Sequence, residues 1–198
     1  KINGGQIIVK MPEKADKVIT LDGNERTFSG NELAICDTAG PMAIAGVFGG
    51  KNSGVSAQTK NIFLEVAYFD PTTIRKSSTY FGLKTDASFR YERGTDPNMP
   101  PIAIKLAAKI IQELAGGQVC DTLIDLYPNP INAFEVKMKY SNIDRLIGKQ
   151  IGVEKINNIL KSLDIELIEG NGNDFLVKVP PFRVDVQREA DVIEEILR

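Results

Sequence analysis

The chain contains no histidine and only two cysteines, Cys36 and Cys120, among its 198 residues. Without histidine, neither a Ser–His–Asp nor a Cys–His catalytic arrangement can be assembled from it. A structural zinc site ordinarily takes four cysteine or histidine ligands, so two thiols fall short of one. Two lone cysteines suit a reducing compartment, and the sequence leaves open a single disulfide between them. No apolar run approaches the ~20 residues that a membrane-spanning helix needs, and no signal-peptide pattern opens the chain. Positive charge is not in surplus either. Lys and Arg number 24 against 26 Asp and Glu, a formal net charge of −2, so no overall basic field draws nucleic acid. The first residue is Lys1 rather than methionine, and the expectation is a fragment or a processed chain.

What is present is a globular composition, 42% hydrophobic and 25% charged, with enough length for one or two domains with real cores. The expected fold class is α+β. A first domain over about 1–120 holds mainly antiparallel strands with packed helices. A linker over 121–133, with Pro128 and Pro130, leads to a small winged-helix-like domain over 134–198. Strand-like runs fall at Gln6–Met11, Lys17–Leu21, Leu33–Cys36, Met42–Phe48 and Asn61–Tyr68, with a turn signal at Asp22–Gly23. A helix is expected after Pro71, over Thr72–Ser78. Another is expected over Pro100–Ala115, where Ala103, Leu106, Ala107, Ile110, Ile111 and Leu114 share one face.

In the second domain the order reads β-α-α-β-β-α. Phe134–Met138 is a strand, and Ser141 caps a short helix that stops at Gly148. A helix over Val153–Leu163 follows, then a hairpin around Glu169–Asp174 and a last helix from about Glu189. Winged helices often bind DNA. Residues 131–198 carry ten cations against twelve carboxylates, and a DNA reader needs a cationic face. A structural or docking role is the better default.

Four stretches carry candidate chemistry. Ala45–Gly50 (AGVFGG) is rich in glycine, which permits positive φ and close backbone approach. It has neither the GxxxxGK[ST] nor the GxGxxG phosphate-loop spacing, and its plain reading is a tight turn between strands. Glu65 sits inside an apolar run, where a buried carboxylate needs a cation or a hydroxyl donor; equally, strand alternation can turn it to solvent. Gly82–Pro97 (GLKTDASFRYERGTDP) packs Thr85, Asp86, Ser88, Arg90, Glu92, Arg93 and Asp96 around the small Ala87. A salt-bridged loop accounts for its charges and leaves its hydroxyls unexplained. Finally, Asp185 precedes a helix on which Asp191, Glu194 and Glu195 have i, i+3, i+4 spacing. Four carboxylates suit a hard ion such as Mg²⁺. An acidic helix start favoured by the helix dipole is the plainer reading.

AGVFGGKNSGV, NIFLEVAYFDP, GLKTDASFRYERGTDP and the helix ending ELAGG resemble the editing domain of the bacterial phenylalanine–tRNA ligase beta subunit. PPFRVDVQREADVIEEILR resembles the domain that follows it. The resemblance runs in order over essentially the whole chain. It implies post-transfer editing, the hydrolysis of mischarged Tyr-tRNA(Phe), since a hydrophobic synthetic site rejects an added hydroxyl only by roughly 10²-fold. Carried onto this sequence, Glu65 matches the residue that recognises the tyrosine hydroxyl. Gly46 and Gly49 match pocket-lining glycines, and Thr85 and Ala87 match positions that shape the pocket and admit the ester. Asp185, Asp191, Glu194 and Glu195 match Mg²⁺ ligands of a site formed with the alpha subunit.

The implied partners are that subunit, tRNA(Phe) and the tyrosine moiety of the mischarged tRNA, with no DNA and no membrane. The implied location is the cytoplasm, and ATP is used by the full enzyme rather than by this segment. The family's editing centre also uses a histidine, which this chain lacks, so weak editing or none is the expectation. The alternative is a non-catalytic module that binds RNA or docks proteins.

Overall fold

Short apolar runs broken by Asp-Gly and Gly-Gly signals favour small antiparallel sheets over long strands. A computed structural model, which describes residues 2–120 and 123–198, shows an α+β chain in two compact units, Lys1–Thr122 and Leu123–Arg198.

In the first unit, β1 (Ile8–Lys10), β4 (Ala34–Asp37), β5 (Gly40–Ile44) and β6 (Phe48–Gly49) form one antiparallel sheet in the order β1-β4-β5-β6. β2 (Lys17–Ile19) and β3 (Glu25–Thr27) form a separate hairpin around Asp22–Gly23. A bridge between Thr20 and Gly50 ties that hairpin to the end of β6. The Leu21 N–H donates to the Gly49 carbonyl at 3.0 Å beside it. Val18, Phe28, Ala34, Cys36, Ile44, Ala45, Val47, Phe69 and Ile74 make the core. Cys36 is a free thiol within it and Cys120 is free and exposed, which answers the disulfide question.

Helix α1 (Pro71–Phe81) begins where Pro71 is expected to start it and runs three residues beyond the expected Ser78. Its N-cap is Asp70, whose carboxylate accepts the Thr73 N–H at 2.7 Å. A short helix not anticipated from sequence, α2 (Asp86–Tyr91), follows, and α3 spans Pro100–Ala115 as the periodicity predicts.

One expectation fails here. The run Asn61–Tyr68 forms no strand. Its extended, apolar character serves packing instead, because Ala67 packs against the core and Phe69 is buried within it. The apolar face of α3 is not buried. None of its residues is, and Leu106, Ile110 and Leu114 are exposed. Ala103, Ala107 and Ile111 on the same face are half-buried.

The second unit follows the expected order: β7 (Phe134–Lys139), α4 (Tyr140–Ile147), α5 (Val153–Ser162), β8 (Glu166–Asn171), β9 (Asp174–Val179) and α6 (Glu189–Leu197). The central strand is β9. Its residues Phe175, Val177 and Val179 alternate into a core with Val136, Met138, Ile143, Ile156, Leu160, Val192 and Ile193. Ser141 is not the cap of α4. The helix starts one residue earlier, and its free N–H groups go to the hairpin instead, Tyr140 N to the Asn173 carbonyl at 3.0 Å and Ser141 N to Asn173 Oδ1 at 2.9 Å. Among the described residues no helix is long and apolar enough to cross a membrane.

Candidate functional site

The glycine-rich stretch is, first, the turn that joins β5 to β6. Val47 N–H closes it on the Ile44 carbonyl at 3.1 Å, with Gly46 at φ +65°. A Cβ at Gly46 would stand 2.8 Å from Ile74 Cδ1 and 2.9 Å from Phe69 Cδ2. The bare backbone therefore receives the protein's own side chains from the two segments that follow in sequence. Gly49 faces Leu21, with 3.1 Å to its Cδ1. The tightest position is Gly50, passed over in the sequence reading. A Cβ there would fall 1.8 Å from the Met42 carbonyl oxygen.

Thr85 opens α2 and closes a reciprocal cap with Ser88. Its Oγ1 accepts the Ser88 N–H at 3.0 Å while Ser88 Oγ accepts the Thr85 N–H at 3.0 Å. The Thr85 hydroxyl then donates to the Val47 carbonyl at 2.7 Å. Its proton is thus spent on holding the glycine turn against α2, so Thr85 positions the wall rather than reacting. Thr85→Ala removes both a cap and a tertiary hydrogen bond, and a loss of about 1–2 kcal/mol in chemical denaturation is expected. Ala87, in the first turn of α2, is exposed. The hydroxyls that a salt-bridged loop left unexplained are therefore capping groups. The charges pair in part: Glu92 meets Arg93 at 3.2 Å and Lys84 at 3.4 Å.

Glu65 lies on the run between β6 and α1 that forms no strand. Its side chain is open to solvent, yet enough protein surrounds it for desolvation to raise its pKa. Tyr91, at the end of α2, pins this run. Its hydroxyl donates to the Ala67 carbonyl at 3.2 Å, and its ring meets Phe69 edge-on with centroids 5.0 Å apart. Burial, and after it the Glu65 charge, push the Tyr91 hydroxyl pKa up. Tyr91 was not singled out from sequence; its three-residue spacing from buried Ser88, one turn of a short helix, was the available signal.

Gly46, the Glu65 run and Thr85 therefore converge on one turn, through Phe69, Tyr91 and Val47. Gly49 instead faces the β2–β3 side. A cavity of about 480 Å³ lined by Lys17, Glu25, Asp37, Met42 and neighbours includes none of Glu65, Gly46, Gly49, Thr85 or Ala87.

The carboxylates of the second unit do not gather. Asp191 accepts the Arg188 N–H at 2.9 Å as the third residue of α6, and Arg188 Nη2 lies 2.9 Å from its other oxygen. That guanidinium, foremost, lowers the Asp191 pKa. Glu195 is held between Arg183 and Arg198, each at 2.8 Å, and Glu194 pairs with Arg198 at 2.7 Å. Asp185 is exposed in the turn before the helix. Among the described residues no three His, Cys, Asp or Glu side chains are grouped to hold a metal ion. As arranged, these residues do not fit Mg²⁺, since Asp191, Glu194 and Glu195 each turn oxygens to arginines and are not grouped with Asp185 around one point. Titration calorimetry with MgCl₂ is expected to give no stoichiometric heat.

The chain belongs to the B3/4 domain family, whose model matches residues 1–116, and the tRNA synthetase B5 domain matches residues 136–198. It is 46% identical over 198 residues to the phenylalanine–tRNA ligase beta subunit of Bacteroides fragilis, covering 100% of this chain and 24% of that protein. The same subunit of Syntrophus aciditrophicus is 41% identical over 197 residues, covering 98% of this chain and 24% of that protein. The chain thus spans about a quarter of the length of these relatives. A solved N-terminal fragment of the phenylalanyl-tRNA synthetase beta subunit from Pyrococcus horikoshii aligns with TM-score 0.46 and 13% identity, over 97% of this chain and 55% of its own.

Proposed function

We propose that the first unit is an editing module that hydrolyses tyrosine mischarged on tRNA(Phe), within a cytoplasmic phenylalanine–tRNA ligase. The observation that carries this reading is the Glu65 carboxylate, solvent-accessible, raised in pKa and set on a run that Tyr91 clamps to α2. Such a carboxylate gains by accepting a hydrogen bond from a phenolic hydroxyl, which phenylalanine cannot supply. The Gly46 turn, Thr85 and Ala87 shape the wall beside it, with Gly49 behind the turn. Catalysis is attack of a positioned water on the ester, with orientation the main contribution. The chain has no histidine to take the proton, so its own turnover is slow. The second unit is a docking module for the alpha subunit.

The test is single-turnover deacylation with the protein in excess over Tyr-tRNA(Phe) or Phe-tRNA(Phe). Slow hydrolysis of the tyrosyl ester with the phenylalanyl ester spared supports the reading. Equal rates on both, or none above the protein-free control on either, would sink it.

A further inference from the structure

We propose that Tyr91 is a specificity-determining positioning residue: its hydroxyl, tied to the Ala67 carbonyl, fixes where the Glu65 carboxylate stands and keeps its own phenol off that carboxylate. The proposal deepens the editing reading above and rests on it for the identity of the ligand. Two bonds fasten the ends of α2. At the N-cap the Thr85 hydroxyl donates to the Val47 carbonyl at 2.7 Å, and at the last residue the Tyr91 hydroxyl donates to the Ala67 carbonyl at 3.2 Å. Between them lie the six residues Asp86–Tyr91, a helical rise of about 9 Å. The helix is a short strut between the glycine turn and the Glu65 run.

The circuit closes through Phe69. Its ring meets Tyr91 edge-on with centroids 5.0 Å apart. Its Cδ2 lies over Gly46, 2.9 Å from where a Cβ would stand. The turn, the run and the helix therefore hold one another, and the Tyr91 hydroxyl is a polar link in the ring. Ala67 follows Glu65 by two residues, so their Cα atoms stand within about 7 Å. Fixing the Ala67 carbonyl fixes the backbone that carries Glu65.

The second half of the argument concerns the phenol itself. The proposed site reads a phenolic hydroxyl, and Tyr91 is a phenol beside it. Burial, and after it the Glu65 charge, raise the Tyr91 pKa, so the hydroxyl keeps its proton near neutrality and feels the carboxylate. A phenol has one proton to donate. Given to Glu65, it would fill the acceptor with a copy of the ligand's own group. Given to the Ala67 carbonyl, it leaves the choice of donor to the ligand.

The experiment uses the full chain with amide-linked 3′-tyrosyl and 3′-phenylalanyl adenosine. Tyr91→Phe keeps the ring against Phe69 and removes the hydroxyl. Its preference for the tyrosyl ligand should fall about tenfold, through weaker tyrosyl binding with phenylalanyl binding unchanged, as expected for the loss of one hydrogen bond. In a Glu65→Ala background the same change should alter the preference no further. Tyr80→Phe is the control. It removes another hydroxyl bond in the same unit, to the Thr27 carbonyl at 3.3 Å, and should leave the preference as it is. A preference retained in Tyr91→Phe, an equal loss in Tyr80→Phe, or a Tyr91→Phe chain that does not fold would each make the bond merely structural and overturn the proposal. A ligand-free measurement separates this from failure of the editing reading. Burial raises the Glu65 pKa, and the carbon-13 titration of its carboxyl should move toward the ordinary glutamate value in Tyr91→Phe. No tyrosyl preference in the native chain would end the editing reading, with the positioning role still decided by that titration. A midpoint that does not move overturns it.

Discussion

Glu65→Ala is expected to remove the preference for a tyrosyl over a phenylalanyl ligand, by about a hundredfold. A hydrogen bond to an ionised acceptor is worth about 1.5–3 kcal/mol, and a buried partner left unpaired by phenylalanine adds to the discrimination. The measurement is binding of amide-linked 3′-tyrosyl and 3′-phenylalanyl adenosine, which avoids any dependence on the rate of hydrolysis. Equal preference in the native chain and the variant would exclude Glu65 as the selecting group. The acceptor must be ionised, and desolvation raises the pKa of Glu65. The tyrosine preference should therefore fade, as pH falls, earlier than for an ordinary glutamate near 4.3.

The same shift bears on stability. The folded state holds the Glu65 proton more tightly than the unfolded chain does. Its stabilising contribution is complete below the unfolded pKa and is lost as pH rises through the higher folded value. Glu65→Gln should consequently melt above the native chain at neutral pH, and the gap should close in acid. A residue that costs stability where it is needed for selection is a familiar pattern in binding sites.

Gly50→Ala is expected to unfold the first unit at ambient temperature or to lower its stability by about 3 kcal/mol or more, while Gly49→Ala costs about 1 kcal/mol or less. The contrast comes from what each new methyl group meets. At Gly50 it meets the Met42 carbonyl oxygen at 1.8 Å, a backbone atom of β5 that can move only if the strand moves. At Gly49 it meets the end of the Leu21 side chain at 3.1 Å, which can rotate aside. Denaturant melts of the two variants decide it. Similar midpoints would mean that β5 and β6 are less tightly apposed than the geometry states.

Much of this fold was legible because local chemistry and tertiary structure agree. Pro71 and Asp70 mark α1, and the two prolines and Gly116 bound α3. The β-α-α-β-β-α order follows from turn residues such as Gly148 and Gly172. The errors fall where sequence pattern cannot say what lies opposite. Apolar residues 61–68 read as a strand, but strand formation needs a partner edge, which no single segment encodes. The acidic spacing on α6 fits a plain acidic helix start better than a cation site, although helical geometry does bring i, i+3 and i+4 together; spacing alone does not show that Arg183, Arg188 and Arg198 reach those oxygens. Glu65 and Thr85 were noticed as unusual residue types in their settings, whereas Tyr91 and Gly50 owe their importance to neighbours distant in sequence.

That residues 61–68 form no strand has a consequence for timing. A strand leaves a sheet cooperatively, with its whole hydrogen-bonded ladder. This run is fastened by side chains, among them the Phe69 insertion and the Tyr91 bond to Ala67. Its Phe69 end is held in the core with Ala34 and Ile44, whereas the exposed residues 61–63 ahead of it can open as a small unit of low free energy. Its amides should exchange with solvent deuterium sooner than those of the neighbouring sheet. The segment that leads into Glu65 would then be the part that breathes.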